Sequence, residues 1–259
     1  MSRRVAGIVQ ARMSSQRLPG KVLASLPSTG AGHLTVLDWT VQRLRRAATV
    51  DVVVVATSDD HGDDLLATHC SQQGYSVFRG SLVDVLDRFH GAALAAGTDV
   101  VVRVTADCPL VDPAVVDRVV RAHLAHNRRF SANRLPPPYP RTYPVGLDVE
   151  VASLEDLHRA WSEAHEPHHR EHVMPYLYEG HEDEVVMVEA ETDAGDVRWT
   201  IDTADDLAAV RGLVTAADAD LTTPWRRLLV TWRNHPELAR INAHVHQRAA
   251  ADVDPRRAP

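Results

Sequence analysis

Four valines in a row, Val52 to Val55, followed by Ala56, constrain this 259-residue chain more than any other stretch. An apolar run with no polar alternation suits a strand covered on both faces, the situation inside a parallel sheet. Short apolar runs recur at 5–10, 76–79 and 100–104, and residues 35–48, 60–73, 82–96 and 113–126 between and after them are patterned as helices. In 35–48, Val36, Leu37, Val41 and Leu44 fall on one face, with Arg43, Arg45 and Arg46 opposite. The helix at 113–126 opens on Asp112-Pro113, a capping residue followed by a proline. Strands alternating with helices predict an α/β fold, a mostly parallel sheet with helices on both faces. Ligands of such sheets bind beyond the carboxyl ends of strands, which singles out the loops 11–21 and 105–112.

The pattern breaks at 133–144, where Pro136, Pro137, Pro138, Pro140 and Pro144 interrupt it. Residues 146–151 then read as an exposed strand, 154–165 as a helix, and 185–190 and 197–201 as strands. Helices are expected at 204–217 and 225–232. The chain thus divides into a first part of the core at 1–132, a second lobe or flap at 133–195, and a return to the core at 196–247. The small, charged, proline-ended stretch 248–259 is expected to be a disordered tail.

Composition removes several classes of function. No apolar run approaches the 18 or so residues of a spanning helix, and nothing after Ser2-Arg3-Arg4 resembles the apolar core of a signal peptide. Two cysteines, Cys70 and Cys108, cannot build a disulfide framework. A cytoplasmic protein with no membrane partner is the expectation. The net charge of −7 argues against a general nucleic-acid binder.

Among the 28 basic residues, only Lys21 is lysine. It closes the loop Ala11-Arg12-Met13-Ser14-Ser15-Gln16-Arg17-Leu18-Pro19-Gly20-Lys21, which follows the first strand. A triphosphate carries about four negative charges and needs guanidinium forks, an ammonium and free backbone N–H groups converging on it. The loop supplies these, although it is neither GxxxxGK[ST] nor GxGxxG. Asp107 and Asp202 each follow a strand-like segment, so neighbouring strands would bring both carboxylates to one Mg²⁺. Taken alone, Asp202 also reads as a cap for the helix after Thr203, and Asp107 as the opening of a turn before Pro109.

At this level of detail the chain resembles the cytidylyltransferases, in particular the spore-coat-polysaccharide branch, akin to enzymes that make CMP-linked Kdo and sialic acid. The resemblance rests on Ala11-Arg12-x-Ser14-x-x-Arg17-Leu18-Pro19-Gly20-Lys21, Arg79-Gly80 with Asp84 to Arg88, and Thr105 to Leu110. It continues through Tyr143-Pro144-x-Gly146 to Glu150, Arg170-Glu171-His172-Val173 and Arg198-Trp199-Thr200-x-Asp202-Thr203. It implies a nucleotidyltransferase fold like that of GT-A glycosyltransferases and Mg²⁺-dependent transfer of CMP from CTP to a small anionic acceptor, with release of pyrophosphate. By that resemblance Ala11, Arg12, Ser14, Arg17 and Lys21 hold the nucleotide, with Arg79, Gly80 and Asp84 near it. Asp107 and Asp202 hold the metal and, with Arg12 and Lys21, form the catalytic set. Asn133, Tyr143, Asp148, Glu150, Arg170 and His172 are the candidates for acceptor binding, and a homodimer through the 133–195 lobe is compatible with the family. The chain departs from the pattern at Gln16, where threonine is usual, and in a longer link at 27–33.

Two other functions use similar residues. A GT-A glycosyltransferase would want Asp-x-Asp where this chain has Asp107-Cys108-Pro109, and would lack the Arg-Leu-Pro-Gly-Lys loop. An inactive nucleotide-binding relative would not need Lys21, Asp107 and Asp202 together. Cys108 has no base placed beside it by sequence and reads as a small buried residue. The cluster His165-x-x-His168-His169-x-x-His172 offers histidines 168 and 172 one turn apart, but no evident third ligand for zinc.

Overall fold

The computed structural model describes residues 3–30 and 32–246, so the expected tail at 248–259 lies outside the described residues. The chain begins with β1 (Val5–Gln10), the hairpin β2 (Ser25–Ser28) and β3 (Gly32–Thr35), and α1 (Val36–Leu44). It alternates through β4 (Val52–Ser58), α2 (Asp64–Gln72), β5 (Ser76–Gly80), α3 (Val85–Ala96), β6 (Val100–Thr105) and α4 (Pro113–His126). The middle contributes β7 (Phe130–Ala132), β8 (Glu150–Ser153), α5 (Leu154–Glu163), α6 (Pro167–His172), α7 (Pro175–Tyr178) and β9 (Val185–Met187). Helices α8 (Ala204–Ala216), α9 (Trp225–Asn234) and α10 (Pro236–Ile241) follow.

Among the described residues, seven strands form one sheet in the order β5-β4-β1-β6-β8-β7-β9. The four strands β5, β4, β1 and β6 run parallel, and β8 is antiparallel to both β6 and β7. The valine run explains itself here. Val53 and Val55 pack with α1, α4 and α8 on one face, while Val54 and Ala56 pack with α3 and α5 on the other. No helix among the described residues is long and apolar enough to cross a membrane.

Three local expectations are corrected. The strand expected, exposed, at 146–151 is instead the four-residue β8, inserted between β6 and β7 with its first three residues buried and Val151 and Ala152 fully covered. Residues 133–195 therefore hand β8 and β9 to the main sheet rather than forming only an appended lobe. Segment 197–201 is no regular strand; among the described residues its β-pairing is one isolated bridge, Val145 to Arg198. Arg43, placed by periodicity on the exposed face of α1, is fully buried. Its guanidinium donates to the carbonyls of Val111, Leu221 and Thr223, so it braces the end of the 105–112 loop. Within the link at 27–33, Pro27 pairs with His33 and Ser28 with Gly32, extending the β2–β3 hairpin, an element with no signal in the sequence analysis.

Candidate active site

The loop after β1 is shaped by its own backbone and by one buried carboxylate. The Ser15 and Gly20 amides both donate to the Met13 carbonyl at 2.9 Å. Asp63, only 2% exposed, accepts the Met13 amide at 2.6 Å and also the Ser58 hydroxyl. Gly20 adopts φ +72, a left-handed conformation that glycine enters without the strain a side chain brings. It turns the chain into a short 3₁₀ segment beginning at Lys21.

The Lys21 side chain is 9% exposed, and its ammonium lies 2.6 Å from an Asp107 oxygen and 2.8 Å from an Asp202 oxygen. Asp107 stands just past the carboxyl end of β6, as the sequence suggests. Asp202 reaches it by a different route. The Trp199 amide donates to the Val145 carbonyl at 2.7 Å and the Ile201 amide to the Asp107 carbonyl at 2.9 Å, so 197–201 lies between those two segments. Gly146 permits this approach: a Cβ there would stand 2.6 Å from the Thr200 nitrogen.

The cap reading of Asp202 is resolved by geometry. Thr203 caps α8, and its partner in the capping box is Asp206, which leaves the Asp202 side chain to the site. Asp202 also pairs with Arg17 at 3.0 Å and Arg198 at 2.8 Å. Arg198 is itself held by the fully buried Asp206 at 2.9 Å, and Asp206 accepts from Asn242 at 2.9 Å. Asp206 and Asn242 were not singled out in the sequence, the first being a cap residue by pattern and the second lying in a region without motifs; Arg198 belongs to a quoted motif but carried no assigned role.

Burial raises the Asp202 pKa, yet Lys21, Arg17 and Arg198 outweigh it and hold the carboxyl below the usual range. Burial acts to lower Lys21, and the two aspartates overcome it, so the ammonium is firmer than in water. The Cys108 thiol is pushed well up, by burial first and by Asp107 second, which removes it as a nucleophile at neutral pH.

These groups lie at the junction of two joined cavities. One, about 200 Å³, is lined by Ala11, Arg12, Ser15, Gln16, Arg17 and Lys21 on one side and Thr105, Asp107, Glu171 and Asp202 on the other. The second, about 300 Å³, shares Arg12, Arg17, Asp107 and Asp202 and adds Arg103, Arg134, Asp148, Glu150 and His172. Ser14 lines neither cavity; its neighbour Ser15 does.

Other candidates fall elsewhere. Arg79 donates to the Ser58 and Asp60 carbonyls and pairs with Asp64; with Gly80 and Asp84 it lines neither cavity. Arg170 grips Asp84 through Nε at 3.0 Å, tying α6 to the start of α3. Asn133 is 1% exposed and bonds the Leu147 carbonyl and Val149 amide, making it a brace. Tyr143, 2% exposed, packs on Trp225 with ring centres 5.4 Å apart. Asp148 and Glu150 do face the second cavity, paired with Arg141 and Arg103. Arg103 was missed, although a lone charge among the valines of β6 was a legible signal.

Residues 6–203 match the Cytidylyltransferase family. The chain is 35% identical over 247 residues to the spore coat polysaccharide biosynthesis protein SpsF of Bacillus subtilis, covering 90% of this chain and 95% of that one. It is 38% identical over 122 residues to a 3-deoxy-manno-octulosonate cytidylyltransferase of Anaeromyxobacter, covering 46% and 47% of the two chains. A solved cytidylyltransferase from Leptospira borgpetersenii superposes with a TM-score of 0.83 at 30% identity, over 92% of this chain and 97% of that one.

Proposed function

The chain belongs to the cytidylyltransferase family and is a nucleotidyltransferase enzyme, and from that premise we propose that it moves CMP from CTP onto a small anionic acceptor, releasing pyrophosphate. The observation that carries this reading is the convergence of Lys21 on both Asp107 and Asp202 beside Arg12 and Arg17. In the proposed reaction an acceptor oxygen bonds the α-phosphorus as the bond to the β-phosphate oxygen breaks in line. Negative charge grows on the departing pyrophosphate, where Arg12, Arg17 and Lys21 would stabilise it.

The two carboxylates fit a Mg²⁺ site. They are hard oxygen donors from distant parts of the chain, and they already converge on one cation, the Lys21 ammonium. Bound there, Mg²⁺ would neutralise phosphate charge. Arg12 and Arg17 would orient the triphosphate, and Asp107 and Asp202 would fix its position relative to the second cavity. That cavity would take the acceptor. Arg134 lines it and forms no ion pair among the described residues, which favours an anionic group there. The proposal extends to a cytoplasmic enzyme acting on small molecules alone.

The test is pyrophosphate release with each of the four nucleotides against a panel of acidic sugars, sugar phosphates and phosphonates. CTP with Mg²⁺ is expected to give the largest release and the largest rise in melting temperature, since a ligand of the native state stabilises it as RT ln(1 + [L]/Kd). Equal shifts with ATP, GTP, UTP and CTP would remove the cytidine preference.

A further inference from the structure

The histidine cluster of the sequence is divided by the fold. His172 faces the second cavity, whereas His168 and His169, which line neither cavity, reach Glu179, the residue just after α7. The Nε2 atoms of His168 and His169 lie 3.0 and 2.8 Å from the same oxygen, Oε2 of Glu179. Consecutive residues on a helix point about 100° apart. Here their rings are nevertheless brought to 4.1 Å between centres and aimed at one point. One ligand atom from each of the three residues lies within 4.8 Å of the others. The third ligand absent from the sequence reading is therefore present, and the pair is 168 with 169 rather than 168 with 172.

We propose that His168, His169 and Glu179 bind a divalent cation of borderline softness, Zn²⁺ or a close analogue, at a site separate from the nucleotide cavity. Two imidazoles and a carboxylate are a donor set that Zn²⁺ takes with a fourth position left to water. Tetrahedral bonds of about 2.0–2.1 Å put ligand atoms ~3.3 Å apart, so the present contacts need open by only a few tenths of an ångström. The side chains are 28%, 13% and 43% exposed, so an ion has a path from solvent. Tyr176 sets its ring edge-on to His169 at 5.8 Å and bonds Glu163, walling one side.

The site would act as a clip. Helix α6 carries His168 and His169 towards the ion, Arg170 to Asp84, and Glu171 and His172 to the cavities. Tying α6 to the end of α7 would fix the last two where nucleotide and acceptor meet.

The test uses the full chain, stripped with a chelator and titrated with Zn²⁺ and with Co²⁺ in excess Mg²⁺. One Zn²⁺ per chain that Mg²⁺ does not displace is expected, with the strong visible absorption of four-coordinate Co²⁺ in the cobalt form. His169→Ala and Glu179→Gln should each weaken Zn²⁺ binding ~10²-fold or more, since even outer-sphere partners of a metal ligand cost 10- to 100-fold. Because all three side chains reach solvent, the metal-free variants should melt with the parent yet lose its Zn²⁺-dependent rise. His165→Ala and Asp202→Asn should bind Zn²⁺ like the parent. Absence of stoichiometric binding, undiminished binding in both His169→Ala and Glu179→Gln, or loss of binding in Asp202→Asn would overturn the proposal.

Discussion

The Lys21 ammonium is a compact charge held between two oxygens at 2.6 and 2.8 Å on a stem that is almost wholly covered. A planar guanidinium is wider and donates as a fork, so it cannot take that place without moving one carboxylate. Lys21→Arg is expected to lose ~10²-fold or more in turnover, the size typical of one preorganised charge-stabilising group. CTP affinity should fall less, because the charge it meets grows in the transition state. Measuring kcat and CTP affinity for Lys21→Arg beside Lys21→Ala decides this, and an arginine variant as fast as the parent would make the lysine dispensable. Asp107→Asn and Asp202→Asn should each abolish turnover with fold retained, and the double variant should cost less than the product of the two losses. Circular dichroism and steady-state rates on the three proteins check it. The lysine was legible because 27 other basic positions are arginine. Asn133 and Tyr143 were not, because residue types that suit ligand binding equally suit bracing a loop or filling a core.

At the scale of elements, the segment 197–201 and helix α8 set Asp202 through buried charge. Asp206 is fully covered and accepts from Arg198, from Asn242 and from the amides of Asp202 and Thr203. Removing its charge takes one of two carboxylate partners from the buried Arg198 guanidinium, with Asp202 remaining, so Asp206→Asn is expected to destabilise by about 3 kcal/mol, the low end for a broken buried pair. Asn242→Ala should cost less, about 1–3 kcal/mol, the price of an unmet buried hydrogen bond. Urea unfolding of both variants measures these, and a near-neutral Asp206→Asn would contradict the ion-pair account. The strand–helix alternation through residue 126 was readable from periodicity, since each element repeats the same burial pattern. The route of 197–201 was not, because an isolated bridge and irregular backbone hydrogen bonds leave no periodic trace.

Taken whole, the molecule responds to acid through its core as well as through its site. His123 on α4 is 1% exposed and bonds Ser131, and burial lowers its pKa to about 4. Below about 6.5 the unfolded chain takes up a proton that the folded one refuses, so stability falls as pH drops and the loss is complete near 4. The shift corresponds to at most about 3 kcal/mol. Unfolding free energies for the parent and His123→Gln should converge by up to that amount between those two pH values, and parallel curves would exclude the buried histidine as a cause. The sheet class was legible across the whole chain, but the membership of β8 was not. An antiparallel strand entering from a proline-broken stretch looks the same in sequence whether it ends at an edge or in the middle. The brace on Asp202 has a practical corollary. The family match stops at residue 203, three positions before Asp206 and well before Asn242. A polypeptide trimmed to that border would keep the 11–21 loop, Asp107 and Asp202 in its sequence. It would lose the Asp206 and Asn242 anchor together with the α8–α10 share of the core, so its inertness would come from a lost fold and not from a missing chemical group.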